Sequence, residues 1–266
     1  MHIIVCVKQV PDATNVRINP ETNTLMREGV ESIINPFDEY ALEEGLRLKD
    51  QFGARVTVIS MGPPQATVVI REAIARGADD GFLVSSRAFG GADTLATSYT
   101  ISQAIRAVCK GGKPDLVLFG KQAIDGDTAQ VGPGVSEFLD LPLVTYVKSI
   151  KMDQEGNFEV ESPMDDGVNL IQGKLPAVMT VLKEASTPRF ASLSGWMAAK
   201  KAPIQVLDEK VVNADPKKIG LKGSPTKVVT IFPPPSKSGG RKIDARGDRD
   251  KAVEEILKVL KERGIA

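Results

Sequence analysis

The sequence predicts an α/β fold: a parallel sheet with helices on both faces, followed by hairpins and an extended C-terminal arm. Three observations carry this. Short apolar runs alternate with amphipathic helical stretches through the first half of the chain, as parallel strands require because each crossover needs room for a helix. After Asp153 the texture changes to polar hairpin sequence. Beyond Thr187 it turns basic and proline-containing, with Ile231-Phe232-Pro233-Pro234-Pro235 and a Ser/Gly/Lys-rich stretch to Gly240 ahead of a last helical pattern.

The strands expected in the first half are residues 2–8, 55–60, 81–85, 115–119 and 143–148. Between the first two, Asn35-Pro36-Phe37-Asp38 reads as an N-cap, a proline at the first helical position and an acid in the first turn, with Gly53 as the stop. Leu42 and Leu46 share one face of that helix. A second helix from about Pro64 buries Val69, Ile70, Ala73 and Ile74 and stops at Gly77, and a third behind Asp93 aligns Ile101, Ile105 and Val108. Glu155-Gly156-Asn157 turns a hairpin between residues 149–152 and 158–161, Asp165-Asp166-Gly167 makes another turn, and residues 175–182 return to a buried-strand pattern. The last helix, from about Asp248, carries Ala252, Val253, Ile256, Leu257 and Leu260 as one stripe. That stripe either folds back on the chain's own sheet or docks on another subunit.

Composition excludes several classes of function. With 266 residues, 42% of them hydrophobic, the chain can bury a substantial core. Its longest apolar runs, such as residues 3–7 and 176–182, are far below the roughly 20 residues of a spanning helix, so no membrane insertion is expected. The first residues read as a strand with no apolar signal core, and the expected compartment is the cytoplasm. The 34 basic and 34 acidic residues cancel and aromatics make up only 5%, which argues against nucleic acid as a partner. Two cysteines, Cys6 and Cys109, and a single histidine, His2, cannot build a structural zinc site or a disulfide framework. They also leave little basis for a Cys-His or Ser-His nucleophile, so no catalytic side chain is expected and any chemistry falls to a bound cofactor.

The most informative segment is Asp115-Leu116-Val117-Leu118-Phe119-Gly120 followed by Lys121-Gln122-Ala123-Ile124-Asp125-Gly126-Asp127-Thr128-Ala129-Gln130-Val131-Gly132-Pro133-Gly134. A strand enters a polar, glycine-containing turn and then, from Asp127 or Thr128, a helix ending near Leu139. Backbone N–H groups and a helix dipole aimed at one point suit a phosphate. The segment is neither a P-loop nor a G-x-G-x-x-G fingerprint. On the residues alone it is either a phosphate site or a plain capped helix with Asp127 as its N-cap.

These residues also carry a resemblance. Val7-Lys8-Gln9-Val10-Pro11-Asp12, Asn35-Pro36-Phe37-Asp38-Glu39, Gly77-Ala78-Asp79, Leu175-Pro176-Ala177-Val178, Pro188-Arg189-Phe190-Ala191-Ser192-Leu193 and above all Gly120 to Asp127 resemble the β subunit of electron-transfer flavoproteins. The resemblance implies an adenine-nucleotide-hydrolase-like (Rossmann-like) fold and a heterodimer with an α subunit, whose C-terminal domain carries the electron-delivering FAD. It implies a nucleotide pocket lined by Cys6, by Asn35, Pro36, Phe37 and Asp38, by Met61, and by Ala123 through Gly134. It makes Leu193 the anchor of a loop docking on flavin-containing dehydrogenases of acyl-CoA or hydroxy-acid type. The chain then divides into a nucleotide-binding domain, 1–186, and a docking loop, arm and C-terminal helix, 187–266.

Gly90-Gly91 and Asp93-Thr94-Leu95-Ala96-Thr97-Ser98 resemble the electron-bifurcating members of that family, which hold FAD where ordinary members hold structural AMP. Asp93, Thr94 and Thr97 then join the pocket, since small residues at a helix N-terminus leave room for a flavin ring and hydroxyls for its polar edge. The implied activity takes hydride from NADH and parts the electrons between the α-subunit FAD and a low-potential acceptor such as ferredoxin, or merges them in reverse with NAD as acceptor. The alternative is a non-bifurcating subunit with AMP, in which Asp93 is an N-cap and the threonines face solvent. A third class, an independent ATP pyrophosphatase, needs a Ser/Gly-rich loop after the first strand, and Lys8-Gln9-Val10-Pro11-Asp12 is not one.

Overall fold

The computed structural model describes residues 1–12, 17–18, 25–26, 32–229 and 242–265. The proline-rich and Ser/Gly/Lys stretch expected at residues 231–240 lies outside them. In chain order the elements are β1 (His2–Cys6), β2 (Gln9–Pro11), β3 (Arg17–Ile18), β4 (Leu25–Met26), β5 (Ser32–Ile34), α1 (Pro36–Phe52), β6 (Arg55–Met61), α2 (Thr67–Arg76), β7 (Asp80–Val84), α3 (Thr94–Val108) and β8 (Leu116–Gly120). They continue with α4 (Val131–Leu139), β9 (Leu143–Val147), β10 (Ser149–Met152), β11 (Asn157–Met164), β12 (Gly167–Lys174), β13 (Ala177–Val181), α5 (Leu193–Lys201), β14 (Gln205–Leu207), α6 (Gly220–Gly223) and α7 (Arg249–Glu262).

Seven parallel strands form the central sheet in the order β14-β7-β6-β1-β8-β13-β9. β1 sits in the middle because it is apolar on both faces. Ile3 and Val5 join one core with Leu42, Leu46, Ile70 and Leu118, while Ile4 and Cys6 join the other with Ile59, Tyr99, Ile105 and Val135. The two clusters are the two sides of the sheet, α1 and α2 covering the first and α3 and α4 the second. Full burial of each such side chain contributes about 1.5–3 kcal/mol. The expected α/β architecture is therefore present, and β10, β11 and β12 form the expected antiparallel hairpins.

Several features of the fold were not foreseen, among them the helix α5 that opens at Leu193 and two strands. Gln9–Pro11 pairs antiparallel with Ser32–Ile34 immediately before α1. Gln205–Leu207, three residues too short to show a period, adds a parallel strand beside β7 and widens the sheet. The chain forms two compact units, Met1–Val229 and Thr230–Ala266. In the second, Asp248 caps α7 by accepting the Lys251 N–H at 3.1 Å, and of its apolar stripe Ala252 is buried while Val253, Ile256 and Leu257 are exposed. No helix among the described residues is long and apolar enough to cross a membrane.

Candidate functional site

From β1 the chain builds the sheet outward through β6 and β7, then returns through β8 to the other side of β1. The carboxyl ends of β1 and β8 therefore diverge into different connections, and a crevice opens above them. A cleft of about 1360 Å³ occupies that edge, walled by the ends of β1, β6, β7 and β8, the start of α3 and the turn before α4. From β7 to β8 alone it spans three strand spacings, about 14 Å.

The floor is organised by α1. Its first turn places the buried Asp38 carboxylate against both strand ends, accepting the Lys8 N–H at 2.7 Å and the Gly120 N–H at 3.2 Å. Burial pushes the Asp38 carboxyl up to about 7, against hydrogen bonds from Asn35, Lys8 and Gly120 that favour the charge. Asn35, fully buried, donates from its amide to the Gln122 carbonyl at 2.8 Å and accepts the Ile124 N–H at 3.1 Å. Lys8 reaches the Asp125 carboxylate at 2.7 Å. Thus the start of α1 fastens the turn and, through Asp38, also borders the cleft.

The turn runs through Asp127 and Ala129, both left-handed at φ 52° and 53°, and the helix behind it begins at Val131 with Gln130 as the N-cap residue. This corrects the expected start at Asp127 or Thr128: two left-handed residues cannot open a right-handed helix. Asp127 is not the cap; it accepts from the Gln122 side chain and its own N–H donates to the Ala123 carbonyl. Val131 and Gly132, in the first turn of the helix, line the cleft, and first-turn N–H groups have no intrahelical acceptor.

Of the residues singled out from the sequence, Cys6, Asp38, Met61, Asp93, Thr94, Thr97, Ala123, Gly126, Thr128, Ala129, Gln130, Val131 and Gly132 line this one cleft. Asn35, Pro36, Phe37, Ile124, Asp125, Asp127, Pro133 and Gly134 lie outside its wall. Gly134 serves packing: a Cβ there would lie 2.5 Å from Ser98 Oγ, so α4 can approach α3 only as glycine. Gly126 borders open space, with no atom within 4 Å of a Cβ built on it. Burial, and then the Asp38 charge, push the Cys6 thiol well up, so it is an inert wall and not a nucleophile.

The far side is built from α3. Thr94 donates its hydroxyl to the Gln130 side-chain oxygen at 2.9 Å, joining the starts of α3 and α4. Thr97 lines the cleft, and its hydroxyl has no hydrogen-bond partner among the described residues. Asp93 caps α3 through Leu95 and Ala96 and also holds Thr226. Other wall residues were not singled out. Ser85, Ser86 and Arg87 after β7 and Lys121 after β8 were legible in principle as the positions that follow strand ends. Val206, Pro225, Thr226 and Val228 were not, because they arrive from distant sequence.

The donor set fits an adenine nucleotide: apolar walls at Ile59, Val84, Phe89 and Ile101, free amides at α4, and Lys8, Arg87 and Lys121 as nearby cations. Among the described residues there is no cluster suited to a metal ion. Fold and cleft together define a Rossmann-like α/β protein with a ligand cleft at its switch point. Residues 22–212 match the electron transfer flavoprotein domain. The chain is 45% identical to the electron transfer flavoprotein subunit beta of Thermoanaerobacterium thermosaccharolyticum over 266 residues, covering all of both chains. It is 46% identical, again over the whole of both, to subunit CarD of the caffeyl-CoA reductase-Etf complex of Acetobacterium woodii. Protein FixA of Azotobacter vinelandii is 46% identical over 94% of this chain and 90% of its own. The chain belongs to the electron transfer flavoprotein family, in its β-subunit line.

Proposed function

We propose that this β subunit holds FAD in the switch-point cleft and that its complex with an α subunit bifurcates electrons. NADH is the donor, and the electrons go to a low-potential acceptor such as ferredoxin and to the α-subunit FAD that serves a partner dehydrogenase. In reverse the complex merges them, with NAD as acceptor. A flavin supplies the chemistry, taking up an electron pair and releasing electrons singly.

The observation that carries the reading is the extent of the cleft. At about 1360 Å³ it exceeds the roughly 300–1,000 Å³ of ordinary small-molecule pockets, and besides the start of α4 its walls include Thr94, Thr97, Pro225, Thr226 and Val228. AMP ends at one phosphate and needs none of that space. The chain's own groups divide the work. Amides of the turn and of α4 hold phosphate, Asn35 and Lys8 keep the turn in place, and the Thr97 hydroxyl is left to bond the polar edge of a ring. Phe89 and Ile101 keep water out. Leu193, with Phe190, Trp196 and Met197, forms an exposed apolar surface that fits docking to an acyl-CoA or hydroxy-acid dehydrogenase. The name of the Acetobacterium woodii relative, which places that protein in a reductase-Etf complex, agrees with this. We place the complex in the cytoplasm.

The second reading, a non-bifurcating subunit with structural AMP, is favoured by Asp93, whose two oxygens are both taken up within the chain. Acid release of nucleotide from the purified heterodimer separates the two. Two FAD per heterodimer are expected, and one FAD with one AMP overturns the proposal.

A further inference from the structure

Asp93 uses its two carboxylate oxygens for two different tasks. Oδ1 accepts the N–H groups of Leu95 at 3.0 Å and Ala96 at 3.1 Å, which caps α3. Oδ2 accepts both the N–H of Thr226 at 3.0 Å and its hydroxyl at 2.9 Å, across 133 residues of sequence. The Asp93 N–H donates to Ser224 Oγ at 2.8 Å, and that hydroxyl in turn donates to the Gly220 carbonyl at 2.8 Å. One residue thus holds the segment 224–226 by three hydrogen bonds.

The contact continues on either side. A Cβ on Gly91 would lie 2.7 Å from the Leu221 side chain, and one on Gly220 would lie 2.2 Å from the Ala88 carbonyl oxygen, so the chain before α3 and the chain at α6 run in close apposition. Beyond Thr226 the anchoring stops: Val228 and Val229 are 78% and 83% exposed. Pro225, Thr226 and Val228 nevertheless wall the cleft, on the side of Thr94 and Thr97. Although desolvation opposes it, the hydrogen bonds from Ala96, Thr226 and Leu95 hold the Asp93 carboxyl below its usual range, so the contact is charge-assisted at neutral pH.

We propose that Asp93 and Thr226 form a latch closing the cofactor cleft: the strap at residues 224–228 is a wall that swings away for nucleotide to enter or leave, and Asp93 positions that wall without touching the ligand. The inference rests on the reading of the cleft as a nucleotide site. It assigns Asp93 a positioning role in place of direct contact with a flavin, and it explains why one carboxylate is shared between a helix cap and a distant segment. A closed latch slows nucleotide release. Lys227, exposed within the strap, is held in a fixed backbone conformation that resists protease while the latch holds.

The test uses Asp93→Asn and Thr226→Val in the heterodimer with the α subunit. Asparagine is as good an N-cap as aspartate and keeps one oxygen for Leu95 and Ala96, but it turns an amide N–H toward the donors of Thr226. Valine removes the strap's hydroxyl and leaves α3 alone. Release of this subunit's nucleotide is followed by ultrafiltration with time, and cleavage after Lys227 by limited trypsin digestion. Losing charge-assisted bonds of this kind should speed both on the order of tenfold in Asp93→Asn and by less in Thr226→Val, with α-subunit flavin retained. Unchanged release and cleavage in both variants would overturn the latch. Should Asp93→Asn fail to fold, Thr226→Val decides alone. If the released nucleotide proves to be AMP, the bifurcating reading falls, while its release rate still tests the latch.

Discussion

The Asp38 carboxylate lies so close against the backbone of Gly120, 3.2 Å from its nitrogen, that a Cβ at position 120 would stand 2.4 Å from Oδ1 and 2.5 Å from the Phe37 carbonyl carbon. Through Lys8 and Gly120, this one side chain ties the ends of β1 and β8 to the start of α1. Gly120→Ala should therefore pry apart the floor of the cleft. Overpacking of this kind costs about 1–3 kcal/mol, read as a lower denaturant midpoint together with weaker nucleotide retention. An unchanged midpoint and full nucleotide content would show that the strand ends move freely.

The same carboxylate imposes a pH dependence. Its folded value of about 7 lies above the ordinary 3.8, so between those limits the folded chain binds a proton that the unfolded chain has released. The resulting stabilisation is complete below about pH 4, is lost as pH rises toward 7, and changes no further above it. Urea denaturation of the wild type and Asp38→Asn from pH 4.5 to pH 8 should give curves that converge or diverge steadily up to about pH 7 and then run parallel, the wild type losing stability relative to the variant. Parallel curves throughout would mean that Asp38 is ionised across the whole range.

The two ends of the cleft should respond differently to substitution. Gly126 borders open space, so Gly126→Glu should fold as the wild type does and yet lose nucleotide, because its carboxylate repels phosphate. Thr97→Phe should fill the cleft beside α3, removing one flavin per heterodimer and abolishing NADH-driven reduction of a low-potential acceptor while the α-subunit flavin stays. Nucleotide content after gel filtration and flavin spectra check both. Full occupancy in Gly126→Glu would move the phosphate elsewhere, and two flavins retained in Thr97→Phe would clear position 97 of any part in the site.

Leu193 opens α5 and is 80% exposed, so nothing in the chain's own core depends on it. Leu193→Ala should leave the melting temperature and flavin content unchanged while slowing electron transfer to the dehydrogenase, by about 1.5–3 kcal/mol if the leucine fills a partner pocket. Stopped-flow transfer with each partner measures this. An unaltered rate would show that Leu193 is not the docking anchor.

What the sequence determined by itself was local or periodic. The apolar run of β1, the proline-led start of α1 at Asn35 and the glycine stops at Gly53 and Gly77 all state their conformation within a few residues, because strand period, helix caps and backbone limits act at that range. Only the tertiary structure decided what those pieces touch. Asn35 and Asp38 hold backbone of the turn and of the strand ends, Asp127 is a left-handed turn residue and not a cap, and Asp93 closes on Thr226. The outcomes at Asn35, Asp38 and Asp93 depend on groups 30 to 133 residues apart in sequence meeting at one strand edge. Parallel crossovers bring them there, and a carboxylate that can cap a helix, pin a loop or bind a ligand gives no sign in its own neighbourhood of which partner will reach it first.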